Sequence, residues 1–175
     1  MGAALDGGDY KIVDGKIMTT HQSGRIYRAA KSFYDLAKPA FDDNSILESN
    51  VMAVVANLAL AVELFLKAAD AKVTVSPRGV DGPLGQAKIE SNVWGHDLEQ
   101  LFDRMDRTVS TRLQQLFEQE TGKELKPLLV ECKDYFAHAR YFYEPKHQHG
   151  FTVSAVKILA EGLDAALMKG WGPQP

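Results

Sequence analysis

The chain has 175 residues, 45% of them apolar and 25% charged, which is the size and balance of one soluble globular core rather than two. A net charge of −3 excludes a general nucleic-acid or anionic-membrane binder built on a broad basic surface, although a small basic site is compatible with it. The single cysteine, Cys132, has no internal partner for a disulfide and fits a reducing cytoplasm.

In chain order, residues 1–18 are expected to be a flexible N-terminal segment. It is Gly-rich at first and then carries YKIVDGKIM, whose Asp14-Gly15 suits a short hairpin. The opening Met-Gly-Ala-Ala-Leu-Asp lacks the Ser or Thr of a myristoylation signal and precedes no basic-then-apolar leader, so a cytoplasmic protein is expected. A first helix is expected from Thr19 or Thr20 to about Ala37, where Lys38-Pro39 ends it. The second is the centre of the molecule. From Ile46 to Ala69 there is no Gly or Pro, and Ala and Leu dominate, so a long helix with apolar residues on nearly every side is predicted. Asp43, Asn44 or Ser45 would cap it, with Glu48 completing a capping box after Ser45. Its apolar run is broken by Asn57 and Glu63, short of the roughly 20 apolar residues that a membrane span needs.

Residues 72–93 hold three glycines and two prolines and read as an exposed loop, with a small hairpin pairing Val73–Val75 with the Ile89 region. Asp97 is a predicted N-cap for a third helix carrying Leu98, Leu101, Phe102 and Met105. A fourth helix covers about Ser110 to Glu120 and is closed by Gly122. A fifth runs from near Lys123 to Glu144, with Pro127 in its first turn and Pro145 ending it. A last helix spans Phe151 to Met168, and residues 171–175 are a loose tail. The fold class is all-α: an up-and-down bundle of five to six helices with a short N-terminal extension, residues 19–170 forming one domain.

Three sets of residues could carry chemistry. Glu63, Lys67, His96 and Arg140 are polar groups on or beside otherwise apolar helices. Glu63 and Lys67 have the favourable i,i+4 order for an ion pair. One reading is structural, the pair fixing helix packing with or without Arg140. The other is a polar pocket between the second and fifth helices, bounded by the His96 turn, that accepts an anionic or nucleotide ligand. Arg140 and His147 form the second set. An Arg can hold a scissile phosphate and a His can move the proton of a ribose 2′-hydroxyl, which suffices for metal-independent RNA cleavage. Pro145 lies between them and should end the helix that would otherwise present both. The third set is His138, His147 and His149 with Asp134, a conceivable metal cluster without a compact ligand motif; no metal and no cofactor are expected. Cys132 reads as a small core residue, and the aromatic cluster at 135–143 as core, as dimer interface or as a base-stacking surface.

NLALAVELFLKA (57–68), GHDLEQLF (95–102) and FAHARYFYE (136–144) together resemble the HEPN superfamily of helical bundles, and most closely its uncharacterised bacterial branch. The resemblance implies a homodimer packed along the later helices. It also implies an association with nucleotides or RNA, with a toxin–antitoxin or phage-defence context, or with a neighbouring nucleotidyltransferase. Ribonuclease members carry an Arg, four to six residues and then a His, and Arg140 and His147 match that spacing at its upper limit. Here Pro145 falls inside the motif and Tyr141 stands where a polar Asn or Asp would follow the Arg. The resemblance therefore implies a non-catalytic binding or regulatory member, with an endoribonuclease as the alternative.

Overall fold

The computed structural model describes residues 10–13, 16–21, 23–41, 43–75, 87–147 and 150–171. Residues 1–9, where the expected flexible segment begins, Asp14-Gly15, Gln22, Asp42, 76–86, Gln148, His149 and 172–175 lie outside the described residues.

The expected helical bundle is present. Its elements are α1 (Gly24–Ala37), α2 (Asn44–Ala69), α3 (Leu98–Asp103), α4 (Arg107–Thr121), α5 (Leu125–Cys132), α6 (Tyr135–Arg140) and α7 (Val153–Trp171). Short 3-10 turns follow α1 (Lys38–Phe41) and precede α7 (Pro145–His147). α2 is the axis, with α1, α6, α7 and α3 all packing on it. Asp43 rather than Ser45 caps it, its carboxylate accepting the Ser45 N–H at 2.9 Å. The Ser45 hydroxyl and N–H together hold that carboxyl below the usual range.

The enclosure predicted for α2 holds for only part of its length. From Val54 onward Val55, Leu58, Ala59, Val62, Phe65 and Leu66 are fully buried or nearly so. The first turns are open, with Ile46 and Ala53 exposed, and Asn50 leaves the helical region at φ −131°, ψ 21°. Asn50 and Asn57 satisfy themselves locally, donating to the carbonyls of Ile46 and Ala53 at 3.0 and 2.7 Å.

Beside the bundle the expected strand pieces join into one antiparallel sheet of order β1-β2-β3-β4: β1 (Tyr10–Val13), β2 (Lys16–His21), β3 (Ala71–Val75) and β4 (Ala87–Ser91). Its register aligns Tyr10, Thr19, Val73 and Ile89 across the four strands. Thr19 and Thr20, expected to open the first helix, are therefore paired in β2 with Val73 and Lys72. α1 instead starts at Gly24, capped by Ser23, whose hydroxyl accepts from the Ile26 N–H and whose own N–H donates to Ala68 O at 2.9 Å.

The long fifth helix is also corrected. It is broken at Lys133–Asp134 into α5 and α6 and ends at Arg140 rather than Glu144. Asp134 sits near φ −107°, ψ 5°, the bridge region that interrupts helical propagation.

Candidate functional site

Glu63 and Lys67 stand one turn apart in the enclosed half of α2. The Lys67 ammonium donates to Glu63 Oε1 at 2.6 Å. Glu63 is only 3% exposed, so its carboxylate needs every partner it has. The next is His96, whose Nδ1 lies 3.0 Å from Oε2 and 3.2 Å from Oε1. A carboxylate only accepts, so Nδ1 carries the proton. Nε2 is then left for water or a ligand, on a side chain that is 74% exposed. The turn that presents His96 depends on Gly95, at φ +112°, a conformation L side chains rarely adopt. Asp97 then caps α3 as predicted, accepting the Gln100 N–H at 3.0 Å.

On α6, the Phe136 ring stacks on His96 with centroids 6.2 Å apart and planes inclined by 29°. Exposed Arg140 lies over that ring at 5.8 Å and over Tyr141 at 5.2 Å. The four residues singled out in the sequence are thus linked by successive contacts, Lys67 to Glu63 to His96, and from His96 through the Phe136 ring to Arg140. Arg140 makes no ion pair with Glu63 among the described residues; it joins the set through an aromatic ring.

Two neighbours were not predicted. Trp94 is 72% exposed, its ring covered by the Arg104 guanidinium at 4.7 Å. Arg104 is itself held by the Trp94 carbonyl at 3.0 Å and by Gln100 Oε1 at 2.8 Å. Behind them Asp70, buried at the end of α2, accepts from Asn92 Nδ2 at 2.6 Å and from the Asp106 N–H at 2.9 Å. It ties the end of β4 and the start of α4 to the axis. A charged residue closing so apolar a helix was the available signal for Asp70; for Trp94 it was a tryptophan beside a glycine turn.

Arg140 and His147 are not presented on one helix, because α6 ends at Arg140. Both nevertheless touch the Tyr141 ring, His147 at 5.7 Å between centroids. The His138 ring meets His147 tilted by 54°, with centroids 5.4 Å apart. His147 Nε2 lies 3.9 Å from Glu144, while its Nδ1 is buried and has no hydrogen-bond partner among the described residues, on a side chain 19% exposed. Among the described residues no group of three or more His, Cys, Asp or Glu side chains is arranged to hold a metal; His149 lies outside them. Cys132 is fully buried, and burial pushes its thiol up to about 12, Glu131 adding to the shift and a hydrogen bond with Tyr135 opposing it.

No protein-family model, curated protein or solved structure matches the chain.

Proposed function

We propose that the protein is a HEPN-like, non-catalytic binding module for RNA or nucleotides, recognised at the face formed by His96, Phe136 and Arg140 with Trp94 beside it. One observation supports this most. The three separate segments that carry the HEPN resemblance meet side chain to side chain, Glu63 from the first touching His96 from the second, which stacks on Phe136 from the third. A buried carboxylate fixes the histidine, and an exposed guanidinium and exposed rings are left for a ligand. Arg140 suits a phosphate, and rings such as Trp94 suit a base, since stacking on an aromatic contributes about 1–3 kcal/mol per base. A compact cationic–aromatic face also reconciles binding of an anion with a net charge of −3.

Thermal shift of the purified protein with mononucleotides and with short single-stranded RNA tests the reading. Stabilisation by at least one of them, abolished in Arg140→Ala, is expected. No stabilisation by any would leave the cluster a packing device.

A second reading, metal-independent endoribonuclease chemistry, is favoured by the His147 Nδ1, which has no hydrogen-bond partner among the described residues, and by the Tyr141 ring that His147 and Arg140 share. In it Arg140 holds the phosphate and His147 moves the 2′-hydroxyl proton. Cleavage of RNA in the presence of EDTA, lost in His147→Ala, is the required result; cleavage unchanged in that variant removes His147 from the reaction.

A further inference from the structure

Away from that face, a groove of about 310 Å³ lies where α1, α2 and β4 meet, lined by Arg25, Ile26, Ala29, Leu64 and Ile89. Its position follows from the fold. The Ser23 N–H bonded to Ala68 O holds the first turn of α1 against the end of α2. β4 then passes alongside, bringing Ile89 next to Leu64. Four apolar side chains from three elements form the walls, and among the described residues no carboxylate lines them.

Arg25 is the charged residue of the described lining, and several other charged side chains of these elements and their neighbours are paired. Lys67 is taken by Glu63, and Lys88 and Glu90, on either side of Ile89, pair with each other at 2.8 Å. Further along α1, Lys31 is held by Asp35 and Asp164. The first turn of α1 carries no acidic residue. Arg25 on the groove wall and Arg28 one turn later are exposed, and neither makes an ion pair among the described residues. An apolar trough whose wall carries a guanidinium with no carboxylate partner among the described residues is complementary to a ligand that is apolar along its length and anionic at one end.

We propose that this groove binds an amphiphilic anion, its short apolar body lying on Ile26, Ala29, Leu64 and Ile89 and its carboxylate or phosphate head held by the Arg25 guanidinium. The volume is at the lower end of the range for small-molecule sites and suits a chain or ring of modest size rather than a protein segment. The groove shares no lining residue with the His96–Phe136–Arg140 face.

The test is a titration of the isotope-labelled full chain followed by amide NMR. The probes are octanoate, octyl phosphate, octyltrimethylammonium and acetate, each kept below micelle-forming concentration. Octanoate, octyl phosphate or both should bind saturably, with shifts concentrated at residues 25–29, 64 and 89; whichever binds tighter identifies the head group. Acetate and the ammonium should bind at least about tenfold more weakly, and Arg25→Glu should weaken anion binding by about tenfold or more, as loss of a charged hydrogen bond does. Ala29→Glu, which places a carboxylate in the trough, should have a similar effect. Arg25 and Ala29 are both exposed, so the variants keep the fold, and an unchanged melting temperature verifies it. Three results would each overturn the proposal: no saturable binding of either anion, equal binding of the ammonium, or anion affinity unaltered in Arg25→Glu.

Discussion

Two seams of the bundle are built on opposite principles. Where α4 meets α7, the helices approach so closely that a Cβ at Gly162 would fall 2.4 Å from Phe117 Cε2 and 2.5 Å from Thr121 Cγ2. Leu113, Phe117, Leu163 and Leu167 around it are fully buried. Specificity inside that seam comes from volume, with Arg112 donating to the Gly170 carbonyl and Lys169 pairing with Glu120 at its edge. Where α2 meets α6 and the His96 turn, the interior instead holds an ionised pair, and an imidazole, a guanidinium and an indole stand in water. A buried ion pair is on balance no more stabilising than well-packed apolar residues of the same size. Stability therefore accounts for the first seam and not for the second, and the proposed function takes the second as a binding face.

The largest expected effect sharpens that contrast. Glu63→Ala should cost about 3 kcal/mol in chemical denaturation, the lower end for a broken buried pair because His96 reaches solvent. Replacing Glu63 and Lys67 together by leucine should cost less than about 1 kcal/mol and still abolish ligand stabilisation. A double variant as unstable as Glu63→Ala would make the pair a structural necessity. Next, Gly162→Ala should lose about 2 kcal/mol, overpacking against Phe117 and Thr121 exceeding the gain in helix propensity of about 1 kcal/mol. A neutral result would mean that the α4–α7 seam is looser than described.

A third expectation concerns Cys132. Its thiol is raised from 9.0 to about 12 by burial, so the folded state disfavours the thiolate. The associated stability is intact below about pH 9 and is lost as pH climbs from 9 towards 12. At pH 8 a thiol reagent should modify Cys132 only as fast as the protein unfolds, and fast modification of the native protein would show that this part of the core is open. The smallest effect is the most telling for function. Trp94→Ala and Arg140→Ala, both at exposed positions, should change stability by no more than about 0.5 kcal/mol while weakening binding.

What could be read from the sequence divides along a physical line. Features set by neighbouring residues were legible. The Ala/Leu run of α2 contains no breaker, Asp97 caps its own helix, and Gly122 closes α4 in the left-handed conformation at φ +65°. Features set by distant partners were not. Thr19 and Thr20 resemble helix caps until β3 pairs with them, and the partners of Asp70 lie 22 and 36 residues further along the chain. The break at Lys133–Asp134 has no glycine or proline to announce it. Glu63, Lys67, His96 and Arg140 were legible as polar exceptions on apolar elements. That Arg140 meets the others through Phe136 rather than through Glu63 depends on the rotation of a shortened α6, which only the fold could give.

The most direct test is an equilibrium titration of a fluorophore-labelled single-stranded RNA, at fixed low salt, with the wild-type chain and with Arg140→Ala and Trp94→Ala. Saturable binding that weakens by about tenfold or more in each variant, with both melting as wild type does, is the predicted result. Binding that is absent, or equally tight in all three proteins, would contradict the assignment of the His96–Phe136–Arg140 face to ligand recognition.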